Sequence, residues 1–229
     1  MKIKNNQKTI PYPLILLAGG ASSRMGTSKG LLPFKNKFWI QEQVARFQKI
    51  TNTDIYIVFG HHANLYQETL GAWLHPFKVL INPHPEKGSF SSLMIALREI
   101  QKSNYEGAFV CPIDVPLPQK DVFASLAQAV LKNKTTLVAI PQFQTDQLHK
   151  KGHPVFLHHK FIQKLIAVDL DSPEARLDVQ IKKLAPSSVE LVDVFDSQII
   201  ENINTPENYQ KYLSNIFQFV PKNEQKNLS

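Results

Sequence analysis

Residues 13–34 of this chain are Pro-Leu-Ile-Leu-Leu-Ala-Gly-Gly-Ala-Ser-Ser-Arg-Met-Gly-Thr-Ser-Lys-Gly-Leu-Leu-Pro-Phe, and the rest of the chain is organised around them. The stretch begins with an apolar run, Leu14 to Ala18, that is typical of a strand buried on both faces. Small residues follow, at which a backbone can approach a ligand closely. Arg24 and Lys29 then supply two positive charges. A strand that leads into such a loop suits the binding of a polyphosphate.

The loop differs from the two best-known phosphate-binding motifs. A Walker A loop requires Gly-x4-Gly-Lys-Ser/Thr, whereas here Lys29 follows Ser28 and precedes Gly30. The Gly-x-Gly-x-x-Gly fingerprint of dinucleotide-binding folds is also absent. A glycine-rich strand exit can simply turn the chain, and a bare Gly-Gly pair favours that alternative. The two cations at these spacings in one βα unit favour a phosphate site.

The same stretch resembles the nucleotide-binding signature of the MobA/MocA-like nucleotidyltransferases, Leu-Ala-Gly/Ala-Gly-x-Ser-x-Arg-Met-Gly-x-x-Lys-x-Leu-Leu. The positions that match it are Leu17, Ala18, Gly19, Gly20, Ser22, Arg24, Met25, Gly26, Lys29, Leu31 and Leu32. The resemblance implies that the donor nucleotide is bound by Leu17, Ala18, Gly19, Gly20, Ser22, Arg24, Gly26 and Lys29. It also implies that Arg24 and Lys29 hold the triphosphate and stabilise the leaving pyrophosphate.

Composition, charge and the pattern of apolar residues argue against a nucleic-acid partner and a membrane partner. With 26 Lys and Arg against 19 Asp and Glu, the net charge of +7 indicates anionic partners without identifying them. We expect no nucleic-acid partner, because no basic run has interleaved aromatic residues. We expect no membrane partner, because no apolar run approaches the ~18 residues that a spanning helix needs. The polar N-terminus and the single Cys111 suit a cytoplasmic enzyme.

The order of the predicted elements indicates an α/β fold. Apolar strands alternate with helical stretches along the 229 residues, which predicts a single-domain, Rossmann-like three-layer sandwich with a mostly parallel sheet. The resemblance implies the variant of this fold found in nucleotide-diphospho-sugar transferases. Residues 1–12 and 218–229 are predicted to be polar tails, and residues 13–217 to be the nucleotidyltransferase domain. Ligands bind such sheets at the carboxyl ends of the strands.

The loop that begins at Asn82 is a second candidate for nucleotide binding. Ser89 or Ser91 could cap the helix that follows, so an ordinary proline-rich loop with an N-cap is one interpretation. The segment also matches the family pattern Asn-Pro-x4-Gly-x-x-Ser-Ser-Leu. By that resemblance the residues in contact with the base or ribose of the nucleotide are Asn82, Gly88, Ser91 and Ser92.

Asp114 is the candidate metal ligand. An apolar strand ends just before it, and an unpaired carboxylate at such a position is costly unless it binds a cation. Mg²⁺ suits it, because hard oxygen ligands are the ones Mg²⁺ prefers. Taken alone, Asp114 could equally be a helix cap or a turn residue. The resemblance of Cys-Pro-x-Asp-x-Pro to the metal-binding strand end of the family favours the metal.

Two further candidates come from the second half of the chain. Thr205 and Pro206 predict the start of a helix, with Thr205 as its N-cap. In the family a side-chain oxygen just before this helix completes the metal shell, which implies Asn204 as the first choice and Asn202 as the second. His153 stands in a Gly-His-Pro-Val string that matches the cytidylyltransferase branch, where it borders the acceptor side, although a lone histidine is more often structural.

The resemblance implies an enzyme that transfers a nucleoside monophosphate from an NTP to a phosphorylated small-molecule acceptor and releases pyrophosphate, with Mg²⁺ as cofactor. Features of the guanylyl- and cytidylyltransferase branches are mixed. They favour a molybdopterin-type acceptor, with CTP slightly ahead of GTP. The alternatives are a sugar-phosphate or phosphoalcohol nucleotidyltransferase and a non-catalytic nucleotide-binding regulator of the same fold. A partner molybdoenzyme or chaperone cannot be identified from these motifs.

Overall fold

A computed structural model describes residues 10–145 and 148–218 of the chain. The strands in these ranges are β1 (Leu14–Ala18), β2 (Pro33–Phe34), β3 (Lys37–Phe38), β4 (Ile55–Phe59), β5 (Lys78–Ile81), β6 (Gly107–Pro112), β7 (Val138–Thr145), β8 (Leu148–Lys151), β9 (Val155–His158) and β10 (Val189–Val194). The α-helices are α1 (Trp39–Gln48), α2 (Ala63–Leu70), α3 (Ser89–Gln101), α4 (Lys120–Lys132), α5 (His159–Leu165), α6 (Leu177–Lys182) and α7 (Pro206–Gln218).

The central sheet has β1 between two parallel neighbours. The strand order is β10-β7-β9-β6-β1-β4-β5, and β8 pairs with β7 outside this path. β1 runs parallel to β4 and β6, β4 parallel to β5, and β10 parallel to β7, whereas β9 is antiparallel to β6 and β7. The predicted α/β fold with a mostly parallel sheet is confirmed. The antiparallel pairings of β8 and β9 were not predicted.

The sheet separates two hydrophobic cores. Side chains alternate along a strand, so Leu14 and Leu16 of β1 face one core and Ile15 faces the other. The first core contains large residues of α1, α4 and α7, and the second contains residues of α3 and α5. These two cores give the predicted three layers, helix on sheet on helix. None of the helices within residues 10–145 and 148–218 is both long and apolar enough to cross a membrane.

Helix α1 joins the sheet to the last helix. Trp39 at its start is fully buried, and its indole N–H donates a 2.7 Å hydrogen bond to the backbone oxygen of Ile113, just after β6. Arg46 on the same helix donates to Glu42, to Gln198 and to the hydroxyl of Tyr212 on α7. α1 therefore holds the turn after β6 and the C-terminal helix in fixed positions.

Several element boundaries differ from the sequence expectations. The run from Thr136 to Ile140 predicts a strand, but β7 extends to Thr145, because its exposed end is held by pairing with β8 and β10 and not by burial. The run from Ala63 to Leu74 predicts one helix, but α2 ends at Leu70, because the next residue, Gly71, has a positive φ of 48° and begins a 3₁₀ turn. α3 begins at Ser89, after Gly88, so neither Ser89 nor Ser91 is its N-cap.

Two residues that the sequence assigns to the N-terminal tail, Ile10 and Tyr12, are part of the folded domain. Ile10 and Tyr12 are buried in the first core, and the hydroxyl of Thr51 donates a 2.7 Å hydrogen bond to the backbone oxygen of Ile10. These residues therefore belong to the folded part of the chain. The remainder of that tail, residues 1–9, and residues 219–229 of the predicted C-terminal tail lie outside the described residues.

Candidate active site

A cleft opens at the carboxyl end of the sheet, beside the loop that follows β1. Strand register brings its parts together, because Ala18 pairs with Phe59 and Leu17 pairs with Pro112, so that β1, β4 and β6 end at the same edge. The cleft has a volume of about 870 Å³. The residues that line it include Leu17, Gly19, Gly20, Ser22, Lys29, Lys87, Gly88, Ser92, Asp114, Lys151, His153, Arg176, Asp178 and Lys182.

The two glycines after β1 differ in what surrounds them. A Cβ at Gly19 would lie 2.7 Å from the hydroxyl oxygen of Ser92, so a side chain there would push the loop away from α3. Gly20 has nothing within 4 Å of an added Cβ, because it faces the cleft. The loop backbone is therefore packed against α3 at one glycine and open to a ligand at the next.

The turn between Ser22 and Lys29 is held by its own hydrogen bonds. Ser22 has a positive φ of 52°, its backbone oxygen accepts from Met25 N at 2.9 Å, and its hydroxyl oxygen accepts from Lys29 N at 3.2 Å. Met25 is buried and anchors the turn in the first core. Beyond Lys29, the backbone N–H of Gly30 donates to the buried hydroxyl of Tyr66 at 3.0 Å. The backbone of Lys29 is thus fixed from both sides.

Lys29, Asp114 and Asn204 meet in one cluster. The Lys29 ammonium Nζ lies 2.9 Å from Asp114 Oδ2 and 2.6 Å from Asn204 Oδ1. The side chains of Lys29 and Asp114 are only 13% and 23% exposed. The backbone oxygen of Asp114 accepts a 2.8 Å hydrogen bond from Ile203 N, which holds Asn204 beside the turn after β6. Residues far apart in the sequence therefore form one compact charged site.

The oxygens of this cluster fit a divalent cation. A carboxylate and an amide oxygen converge on the same cationic atom, and both are ligands that Mg²⁺ prefers. No group of three or more His, Cys, Asp or Glu residues within the described ranges could hold a metal. Such an ion would therefore take the rest of its oxygen ligands from phosphates and water. The structure distinguishes the two predicted asparagines, because Asn202 is exposed and donates to Ile200 O, whereas Asn204 makes the Lys29 contact.

The N-cap predicted beside this cluster is confirmed. The hydroxyl oxygen of Thr205 accepts a 3.3 Å hydrogen bond from Asn208 N, and α7 begins at Pro206. Tyr209 in the first turns of the helix donates a 2.7 Å hydrogen bond to Pro33 O and packs against Trp39. The start of α7, and with it Asn204, is therefore attached to the segment that follows Lys29.

The Asn82 loop differs from its prediction. The buried Asn82 amide donates to the hydroxyl oxygens of Ser91 at 2.8 Å and Ser92 at 3.0 Å, and its oxygen accepts from His84 N. The Ser91 hydroxyl is buried too and lies 2.7 Å from Gly88 O. Asn82 and Ser91 therefore brace the loop from inside and do not line the cleft, and their contact with the nucleotide stays a prediction. Gly88 and Ser92 line the cleft, and their contact with the nucleotide stays a prediction.

His153 lines the same cleft as the glycine loop. Its backbone N–H donates to Ile199 O at 2.9 Å, and a Cβ at the preceding Gly152 would lie 2.1 Å from the same oxygen, so glycine is needed for this close approach. Burial lowers the pKa of the His153 imidazole, although the backbone of Val110 and the charge of Asp114 oppose that shift. Its Nδ1 is buried and has no hydrogen-bond partner among the described residues. Burial therefore favours the uncharged form of the ring.

The wall beside His153 carries cations that the sequence did not single out. Lys151, Arg176 and Lys182 line this side, and we call these three the basic wall. Arg176 lies 3.0 Å from Asp178, and Lys182 lies 3.8 Å from the same carboxylate, so the wall keeps a net positive charge. The signal that could have found Lys182 is the i, i+4 spacing of Asp178 and Lys182 on α6.

Three predicted nucleotide contacts lie outside the cleft lining. Arg24 is exposed, Gly26 has a positive φ of 71° in the turn, and Ala18 is buried at the end of β1. Gly26 thus serves the conformation of the turn, and Ala18 anchors its start. The contact between Arg24 and a triphosphate stays a prediction.

Comparisons with known proteins agree with this geometry. A family model described as the MobA-like NTP transferase domain matches residues 14–184. A Rhodopirellula baltica protein named probable molybdenum cofactor guanylyltransferase is 28% identical over 141 residues, which are 60% of this chain and 65% of that protein, slightly less than two thirds. A Campylobacter jejuni molybdenum cofactor guanylyltransferase is 27% identical over 210 residues, which are 88% of this chain and 95% of that protein.

Solved structures share the fold at low sequence identity. Molybdopterin-guanine dinucleotide biosynthesis protein A from Archaeoglobus fulgidus has a TM-score of 0.63 and 19% identity over 90% of this chain and 100% of its own. A Mycobacterium tuberculosis protein in complex with manganese has a TM-score of 0.66 and 15% identity over 89% of this chain and 98% of its own. The family model covers well over half of the chain, with the glycine loop and Asp114 among its matched residues. This chain is therefore a nucleotidyltransferase that belongs to the MobA-like NTP transferase family.

Proposed function

We propose that this enzyme transfers GMP from GTP to the phosphate of a molybdopterin-type acceptor and releases pyrophosphate, with a divalent ion, Mg²⁺, in the site. The observation that carries the proposal is the meeting of Lys29, Asp114 and Asn204 beside an open glycine loop at the carboxyl end of the sheet. This arrangement offers backbone N–H groups and an ammonium for phosphates, and two oxygens for a metal.

The reaction is an in-line displacement at the α-phosphorus. An oxygen of the acceptor phosphate forms a bond to this phosphorus, and the bond from phosphorus to the bridging oxygen of the pyrophosphate breaks, with its electron pair leaving on pyrophosphate. A phosphate monoester with a second pKa of about 6 is already an anionic nucleophile at neutral pH, so no general base is needed.

The protein supplies position and charge. The loop backbone at Gly20 and the Lys29 ammonium would hold the triphosphate, and fixed positive charge beside the leaving group stabilises the charge that develops on it. When bound at Asp114 and Asn204, the metal ion supplies further neutralisation of the phosphate oxygens. Asp114 and Asn204 are held for this by the Ile203 N–Asp114 O hydrogen bond.

The names of the relatives favour GTP over CTP as the donor, whereas the motifs favour CTP. The mixture of motifs favours CTP slightly, but both curated relatives above are named as guanylyltransferases, so GTP comes first in this proposal. The same names support the molybdopterin-type acceptor. The manganese complex of a protein with the same fold supports a divalent ion without selecting Mg²⁺. A cytoplasmic enzyme without a nucleic-acid or membrane partner remains part of the proposal.

The test is product formation with purified enzyme, Mg²⁺, molybdopterin and each of GTP, CTP, UTP and ATP. We expect pyrophosphate release with GTP, together with a guanylylated product identified by mass spectrometry. Asp114→Ala should abolish both, whereas Asp121→Asn on α4 removes an exposed carboxylate outside the cleft and should leave them unchanged. Release with CTP alone would reassign the base, and turnover only with sugar phosphates or phosphoalcohols would reassign the acceptor. Nucleotide binding without any turnover would favour the non-catalytic regulator.

A further inference from the structure

The Lys29 ammonium occupies the position at which the two proposed metal ligands converge. Its Nζ is within hydrogen-bond distance of both oxygens, at 2.9 Å from Asp114 Oδ2 and 2.6 Å from Asn204 Oδ1. A Mg²⁺ ion binds oxygens at roughly 2.1 Å, so an ion that takes these two oxygens must enter the space the ammonium fills. Two cations at such a distance repel strongly in a site this poorly exposed to water.

We propose that the Lys29 ammonium occupies the metal site when no metal is bound. The incoming metal ion displaces the ammonium, which then binds the triphosphate. This rests on the proposed function only in taking Asp114 and Asn204 as the metal ligands. Without nucleotide, the ammonium neutralises Asp114 and keeps the site closed to divalent ions. With nucleotide, the ammonium has an alternative anionic partner in the cleft that it lines. Metal and nucleotide therefore bind cooperatively.

The structure permits the exchange without movement of the backbone. The Lys29 backbone is held by the hydroxyl oxygen of Ser22, and the N–H of the next residue is held by Tyr66. The flexible four-carbon stem of a lysine can still carry the ammonium between two partners. The Ile203 N–Asp114 O hydrogen bond does not involve Lys29, so the pair of oxygens stays together when the ammonium leaves. What changes between the two states is one side chain.

The exchange has two consequences for binding. Each of metal and nucleotide should raise the affinity for the other by the same factor, because coupling between two binding events is reciprocal, and a factor of roughly 5–150 is typical. Removal of the ammonium should remove the barrier to the metal. A Lys29 variant should thus bind metal more tightly than wild type when nucleotide is absent, although it binds nucleotide more weakly. A residue that only contacts phosphate would not have the first effect.

The test is titration of the purified enzyme with Mn²⁺ alone, with free Mn²⁺ measured by electron paramagnetic resonance. We expect Lys29→Met to bind nucleotide-free Mn²⁺ about tenfold more tightly than wild type, or more. Lys182→Met is the matched control, since it removes the same charge from the same cleft without touching Asp114 and should change the affinity far less. The double variant Lys29→Met/Asp114→Asn should lose the gain, which assigns it to Asp114. Adding GTP should tighten Mn²⁺ binding to wild type by a larger factor than to Lys29→Met, in which the phosphates still supply oxygen ligands but no ammonium has to be displaced.

The Mn²⁺ titrations need neither an acceptor nor turnover, so their outcomes test this inference separately from the proposed function. The exchange is overturned if Lys29→Met binds Mn²⁺ no more tightly than wild type, or if the gain survives in the double variant. An equal gain in Lys182→Met would show a general effect of charge and would also overturn it. Pyrophosphate release could still occur in each of these cases. Lys29→Gln provides a second variant should the methionine disturb folding, which circular dichroism would detect.

Discussion

Trp39→Phe should weaken both the fold and the proposed metal site, because one hydrogen bond of Trp39 holds the turn that carries Asp114. The indole N–H donates to Ile113 O at 2.7 Å, and Trp39 is fully buried. Phenylalanine keeps an aromatic ring in the core but leaves that carbonyl oxygen without its donor. The turn after β6 then loses its direct attachment to α1.

The magnitude follows from the burial. A buried acceptor left without its donor costs about 1–3 kcal/mol, and two lost ring carbons at about 0.8 kcal/mol each add to this. The free energy of unfolding should fall by about 2.5–4.5 kcal/mol, which for a chain of this size lowers Tm by about 5–18 °C.

Thermal and urea unfolding of Trp39→Phe and Trp73→Phe provide the assay. Trp73 is the other tryptophan of the chain, half-buried against Phe77 away from the cleft, and its substitution should cost less than about 1.5 kcal/mol. Mn²⁺ affinity in the presence of GTP should fall in Trp39→Phe and stay unchanged in Trp73→Phe. Equal destabilisation by the two changes, with equal Mn²⁺ affinity, would refute the assignment of Trp39 to the Asp114 turn.

Further predictions concern the loop, the histidine and the basic wall. Gly19→Ala should weaken GTP binding strongly, since its Cβ would lie 2.7 Å from the Ser92 hydroxyl oxygen, and loss of the thermal shift by GTP would show this. The lowered pKa of His153 means that the unfolded chain binds a proton more readily than the folded chain below pH ~6.5, so its contribution to stability is complete above that pH and is lost as the pH falls. Tm measured between pH 7.5 and 5.5 should therefore fall less in His153→Gln than in wild type. The basic wall lies beside His153, which the family resemblance places on the acceptor side, so Lys182→Met should raise KM for the acceptor by up to about fivefold and leave KM for GTP unchanged. Lys183→Met, whose lysine pairs with Glu174 outside the cleft, should raise neither.

Local patterns predicted the parts of the site that lie at strand ends. The apolar run of β1, the loop of small residues after it and the position of Asp114 after β6 are local features, and parallel strands bring such ends to one edge of the sheet. Thr205 and Pro206 likewise identify the start of α7 from two adjacent residues. The family signature could be recognised because its residues are close together in sequence.

The parts of the site that the sequence did not predict depend on contacts between residues far apart in the chain or lie on exposed segments. The Lys29–Asp114 pair spans 85 residues, and which of two nearby asparagines joins it depends on one backbone hydrogen bond. Asn82 has the polarity of a ligand-binding residue, but two serines of the next helix satisfy its amide, and its burial could not be predicted from the loop alone. The basic wall escaped prediction because its cations lie on separate exposed segments that only the fold brings together.

The contact between Lys29 and Asn204 joins residues that are 175 positions apart. During synthesis, a ribosome that has translated residues 14–184, the range the family model matches, has made the glycine loop and Asp114 but not Asn204. The nascent chain can form most of the sheet at that stage, with an incomplete set of oxygens around the Lys29 ammonium. Only after the segment before α7 has emerged and docked can the site take its final form. The charged cluster of Lys29, Asp114 and Asn204 is thus complete only at the end of folding, and a prematurely terminated chain that lacks Asn204 cannot form it.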